Sequence, residues 1–263
     1  MGKMEDLLVD RKLDQVPWTI QQTIIGTICT LVPWLFFVFG LSNINSTGAT
    51  HMPSLALQKD IVNAILTFII SSLVEAAFLI APLYVAKHAI HATTVYARQV
   101  WQVLGFRAFK PVQAFSWIGI LIVVIIGVDN LYQFMITSLH LNLHTNDQVL
   151  LAHSTSSPIT TYAILAAAVI VAPFCEEIFF RGFVFPGLHR SMDLGWAIVL
   201  SSLLFAIAHG DPASFPVLFI IGLALAFLRW RTKSIWPGIL LHMLNNSLGA
   251  FTIILVMNGI IKA

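Results

Sequence analysis

The sequence predicts an all-α fold, a polytopic transmembrane helical bundle of about seven spans, within a range of six to eight. Three observations carry that prediction. Of 263 residues, 58% are hydrophobic and only 10% charged, with a mean hydropathy of +0.86, far outside soluble globular composition. The apolar residues fall into separate runs long enough to cross a bilayer, each bounded by polar clusters. Lys and Arg collect in alternate connections, as the positive-inside rule requires of a multi-pass chain. A net charge of +2, with the basic residues scattered between apolar runs and not gathered in one patch, is too small to suggest nucleic acid, and no nucleic-acid partner is expected. Cys29 and Cys175 lie inside apolar runs with no metal-type spacing and read as free thiols.

The first run extends from about Trp18 to Leu41 and is followed by a polar loop from Ser42 to Lys59. A second covers Ile61 to Ala86, and the aromatic, basic stretch Lys87 to Lys110 reads as an interfacial helix. The third run is Val112 to Leu139, after which a loop without Lys or Arg reaches Pro158. The fourth begins at Ile159 and continues to Leu188, because the first polar cluster after the Glu-Glu pair is His189 to Asp193. At roughly 30 residues and ~45 Å it must tilt or protrude. Leu194 to His209, Phe215 to Leu228 and Ile235 to about Ile261 complete the set. Lys3, Arg11, Lys12, Lys87, Arg98, Arg107, Lys110, Arg190, Arg229, Arg231 and Lys233 all fall on one side of this arrangement. The expectation is an integral multi-pass membrane protein with a cytoplasmic N-terminus.

The chemistry concentrates in Ala172-Pro173-Phe174-Cys175-Glu176-Glu177-Ile178-Phe179-Phe180-Arg181, two carboxylates and a guanidinium in an apolar run. An ionisable side chain at bilayer depth costs at least ~2.5 kcal/mol, so it survives mainly where it is paired or lines a wet cavity. Glu177 and Arg181 are i, i+4 with the acid N-terminal, the favourable order for an ion pair. Glu176 is rotated from that face by about 100° and lacks a counter-ion in its own helix. Two further polar groups interrupt later runs: His209 in Phe205-Ala206-Ile207-Ala208-His209, and His242 with Asn246 in His242-Met243-Leu244-Asn245-Asn246. Asn245 lies close enough to the same face to compete with Asn246. From their helix ends, His209 stands ~24 Å up, Glu176 ~21 Å and His242 only ~12 Å. Bringing His242 level requires the Arg229 to Lys233 turn to reach into the protein, or the last helix to be displaced. Each feature has a plain structural reading: a buried ion pair, packed histidines, interhelical amide glue. Their convergence on three separate runs favours a site. Glu75 and Asp129 are buried acids outside this convergence.

Glu176-Glu177-x-x-x-Arg181, Phe205-x-x-x-His209 and His242-x-x-x-Asn246 resemble, in order, the three motifs of the CPBP family of intramembrane proteases. That family includes the type II CAAX prenyl endopeptidases and proteins of bacteriocin processing or self-immunity. The resemblance covers roughly residues 159 to 251 and sets off a core, 159–263, from N-terminal spans and an interfacial helix, 1–158. It implies an endopeptidase acting on a membrane-associated or prenylated peptide, with Glu176 activating a water and Glu177 with Arg181 supporting that helix face. His209 would orient the water, and His242 and Asn246 would donate to the oxyanion. Zinc held by Glu176, His209 and His242 and a metal-free water are equally compatible with these residues, since no H-E-x-x-H arrangement is present. The implied partners are a peptide or lipidated protein substrate and the lipid bilayer. A non-cleaving immunity or binding scaffold, a proton- or ion-coupled transporter using Glu75 and Asp129, and a haem carrier with two axial histidines are the alternatives. Gly210 to Ser214 cannot continue a helix, which predicts a polar cavity opening among Arg190, Arg229, Arg231 and Lys233.

Overall fold

The apolar runs form helices in the computed structural model, which describes residues 16–44, 56–90, 97–141, 143 and 158–261. The charged N-terminal stretch, the middle of the 42–59 loop, most of the 140–158 loop and Lys262 lie outside the described residues. Helix α1 is Ile20–Ile44. Helix α2 runs through Ala56–Ala76, one 3₁₀ turn at Ala77–Leu79, and Ile80–Ile90. The short α3 is Ala97–Val103 and α4 is Pro111–Ser138. Helix α5 is Pro158–His189, with π turns at Ala167–Val171 and Ile178–Val184. Then come α6, Leu194–Ala208, α7, Phe215–Thr232, and α8, Trp236–Met257.

Six of these, α1, α2, α4, α5, α7 and α8, are long and apolar enough to cross a membrane. The expected seventh span, α6, has 15 residues. That is about 22 Å at 1.5 Å per residue, short of a ~30 Å hydrocarbon core. The turn after α6 therefore lies at depth, where protein must satisfy its backbone. Asp211 does so locally, Oδ1 accepting from the amides of Ala213 and Ser214 at 3.0 and 3.1 Å and Oδ2 from the Ser214 hydroxyl at 2.6 Å. From other helices, Trp34 Nε1 donates to Ala208 O at 2.8 Å and the Tyr132 hydroxyl to Ala213 O at 2.6 Å.

Helix α5 is the axis: 56% of its most apolar window is buried, against 11–39% in the other five spans. The outer faces of α1, α2 and α4 carry exposed Phe36, Ile65, Val123 and Phe134, which suit lipid. Because lipid tails are as apolar as these side chains, cohesion between helices must come from close packing and hydrogen bonds. A run of rings supplies much of it: Trp34 on Phe78 at 4.6 Å, Phe78 on Phe179 at 5.2 Å, Phe179 on Phe180 at 4.9 Å, Phe180 on Phe205 at 5.3 Å. At the end of α5, Arg190 Nη1 donates to Val16 O and Trp18 O at 2.9 and 2.7 Å, and the fully buried Trp18 packs on Phe183. The last part of the expected interfacial stretch does not lie flat. Leu104 is fully buried, and a Cβ added to Gly182 would meet Leu104 O at 2.7 Å, so the segment after α3 enters the bundle against α5.

Candidate active site

Helix α5 delivers both carboxylates, and its two irregular turns set their direction. Each π turn precedes a proline. Ala172 N–H donates to Ala167 O and Phe185 N–H to Phe180 O, both five residues back. In that register the next donors would be Pro173 to Ala168 O and Pro186 to Arg181 O, and proline has no N–H to give. Both orphaned carbonyls are served from other helices. Asn246 Nδ2 of α8 donates to Ala168 O at 2.9 Å, and Arg229 Nε of α7 donates to Arg181 O at 3.2 Å. Each proline thus weakens α5 at a point where a neighbouring helix replaces the lost bond, and the replacement fixes the rotation of the segment between them.

That segment holds Glu176, Glu177 and Arg181, all buried. Glu177 Oε1 lies 3.0 Å from Arg181 Nη1, and Arg181 Nη2 donates to Gly222 O of α7 at 3.0 Å. The guanidinium carbon also stands 4.4 Å from the centroid of the Phe205 ring, a cation–π contact that fixes the plane of the group. His242 Nδ1 approaches the same Glu177 Oε1 at 3.4 Å. Gly238, one turn before His242, makes this approach possible, since a Cβ there would stand 2.7 Å from Glu177 Oε2. Glu176 points elsewhere, its Oε2 lying 3.9 Å from His209 Nε2. His209 Nδ1 donates to Phe205 O at 2.8 Å, so Nε2 of the neutral ring is an acceptor facing the carboxylate.

The sequence motifs therefore meet, but in two sets. Glu176 and His209 form one; Glu177, Arg181, His242 and Gly222 form the other, with Phe205 between the two histidines at 4.7 and 5.5 Å. His242 reaches this level because the turn after α7 is sunk into the protein. Arg229 and Ser234 are buried, Ile235 N–H donates to Gly105 O at 3.0 Å, and the Ser234 hydroxyl donates to Arg107 O at 2.7 Å. Of the basic residues expected around a mouth, Arg229 donates to Arg181 O, and Arg190 donates to Val16 O and Trp18 O. His209 is the more exposed member of its pair, its side chain 26% accessible against 10% for Glu176. Among the described residues no three His, Cys, Asp or Glu side chains gather in a way that could hold a metal ion. Zinc on Glu176, His209 and His242 does not fit this arrangement, because His242 is turned to Glu177.

Glu75, left without a role by the sequence, faces this site from α2. It lies within electrostatic reach of Glu176 and Cys175, and its Oε2 is buried with no hydrogen-bond partner among the described residues. Asp129 lies on α4 with Gln133 of the same helix as its side-chain hydrogen-bond partner. Gly222, Gly238 and Trp34 also escaped the sequence reading. Gly238 precedes His242 by one helical turn, which is the one local signal available for it.

Fold and site together define a polytopic helical membrane protein with a buried acid–histidine centre on its axial helix. Residues 158–248 match the model of the family described as Rce1-like, type II CAAX prenyl endopeptidase Rce1-like. The resemblance read from the three motifs is thus met over that segment. Over 78 residues the chain is 37% identical to YdiL of Bacillus subtilis (strain 168), described as a candidate membrane peptidase; the match covers 30% of this chain and 32% of YdiL. Over 83 residues it is 35% identical to the membrane-embedded CAAX protease MroQ of Staphylococcus aureus (strain USA300), covering 29% of this chain and 34% of MroQ. The match spans about a third of the length of these relatives. No solved structure matches the chain.

Proposed function

We propose that this protein is an intramembrane endopeptidase in which Glu176 and His209 activate a water against a peptide bond of a membrane-associated or prenylated substrate. The observation that carries the reading is the pair of acceptors, Glu176 Oε2 and His209 Nε2, facing each other across 3.9 Å from two helices. A water making hydrogen bonds of about 2.8 Å to both fits that gap and directs both its hydrogens to bases. Its oxygen attacks the carbonyl carbon and its proton passes to Glu176. The same proton then goes to the leaving nitrogen as the C–N bond breaks. Asn246 contributes to the developing oxyanion the amide hydrogen that Ala168 does not use, and His242, its Nδ1–H given to Glu177, donates there through Nε2–H as the imidazolium. Glu177 and Arg181 hold His242 and the α5 face, touching no reacting atom. No step is routed through a metal.

The test is a reconstituted preparation given a prenylated CAAX-type reporter peptide and its unprenylated counterpart, with fragments read by mass spectrometry. Glu176→Gln is expected to keep expression, insertion and melting temperature while fragment release falls at least a hundredfold. Undiminished release from a folded Glu176→Gln protein overturns the assignment. One observation favours a second reading, a proton relay: Glu75 places another carboxyl within reach of Glu176. Proton flux in liposomes, abolished by Glu75→Gln and unaccompanied by peptide cleavage, would establish that reading instead.

A further inference from the structure

Helices α1 and α2 enclose a groove of about 600 Å³. That volume is in the range of built ligand sites, roughly 300 to 1,000 Å³. Its length is apolar, lined by Cys29, Pro33 and Phe37 of α1 and by Ala77, Ala81 and Val85 of α2. Thr30 is a polar residue midway along it, and one end is polar, with Gln22 of the first turn of α1 and His88 of the last turns of α2 in the lining and exposed Lys87 next to His88 in the chain. The same end carries Trp18 and Arg190, so it is the end where the helices leave the hydrocarbon. From Gln22 to Phe37 the groove descends about 22 Å, more than one ~15 Å leaflet.

We infer that this groove is a binding site for a bilayer phospholipid with an anionic headgroup, one acyl chain lying along Cys29, Pro33 and Phe37 and the headgroup beside Lys87, His88 and Gln22. Polarity, depth and charge all have the layout of that molecule. An unfilled cleft between lipid-facing helices would forfeit the dispersion contacts that a chain restores. The occupant is separate from any peptide substrate. Trp34, Phe78 and Phe179 stand between the groove and Phe180 with Phe205 at the site, ring on ring at 4.6 to 5.3 Å.

Cys29 reports on the groove without mutation, since its thiol is exposed there while the only other cysteine, Cys175, is buried. Purified protein is stripped of lipid in detergent, and alkylation of Cys29 by N-ethylmaleimide is followed by peptide mass spectrometry. Phosphatidylglycerol in mixed micelles is expected to slow it at least fivefold, and phosphatidylcholine less. A control carries Cys29→Ser and Ile120→Cys, placing a thiol on the exposed outer face of α4; its alkylation should be slowed less than twofold. Phosphatidylglycerol should copurify with wild-type protein and be lost from Thr30→Trp, which fills the groove. Equal slowing at both thiols, no slowing, or protection by farnesol in preference to phosphatidylglycerol overturns the proposal. None of these readouts needs proteolysis, so the proposal and the peptidase reading fail separately.

Discussion

At the scale of single residues, the site turns on how two adjacent carboxylates are given different surroundings. Glu177 is fully buried and held by Arg181 at 3.0 Å, with His242 at 3.4 Å. Arg181→Ala strands that charge, at a cost of roughly 3 to 5 kcal/mol. Thermal melting of the purified variant should show the loss. Replacing the pair with Glu177→Leu and Arg181→Met should restore most of the stability, because two apolar groups leave no buried charge behind. A double variant as unstable as the single one would show that Gly222 and Phe205, not Glu177, are what Arg181 serves. Gly238→Ala should behave differently again. Its methyl would press on Glu177 Oε2, an overpacking of about 1 to 3 kcal/mol, and peptide cleavage should fall with stability only partly reduced. These side chains were legible in the sequence as types and spacings. Their partition into Glu176 with His209 and Glu177 with His242 was not, because it depends on the rotation of α5 against α6 and α8.

At the scale of elements, α5 is a helix that two prolines would break and two neighbours repair. The claim is testable by a double-mutant cycle. Asn246→Leu removes the donor to Ala168 O and leaves a buried carbonyl unsatisfied, costing about 1 to 3 kcal/mol. Pro173→Ala returns a backbone N–H to the same place. In that background Asn246→Leu should cost clearly less, and chemical denaturation in micelles measures the difference. Equal costs in both backgrounds would mean that Asn246 does not stand in for the missing amide. Arg229→Met should likewise destabilise, through Arg181 O and Pro186. The sequence marks Pro173 as a weak point one turn before Glu176. It does not mark the π turns, which appear where the proline's lost bond and a donor from another helix coincide.

At the scale of the whole molecule, the N-terminal helices are joined to the motif-bearing segment by contacts that no motif announces. Arg190 holds the carbonyls before α1 and Trp34 holds the end of α6 beside His209, while Glu75 of α2 lies within electrostatic reach of Glu176. Trp34→Phe keeps the ring and removes the bond to Ala208 O. Peptide cleavage should drop several-fold with the protein still folded, because the depth of His209 rests on that bond; unchanged cleavage would show that Asp211 and Tyr132 suffice to hold the turn.

The sequence by itself determined the class, the order of the apolar helices, the three motif runs and the Glu177–Arg181 pair. Hydropathy and i, i+4 spacing are local properties of the chain, and a bilayer leaves few alternatives to a helix for an apolar run of that length. Only the tertiary structure decided that α6 falls short of a full span, that the turn before α8 sinks inward to raise His242, and that Asn246 and Arg229 complete α5. Each of these depends on depth and rotation between helices. A π turn adds one residue and so swings everything after it by about 100°, a displacement that composition and spacing do not record.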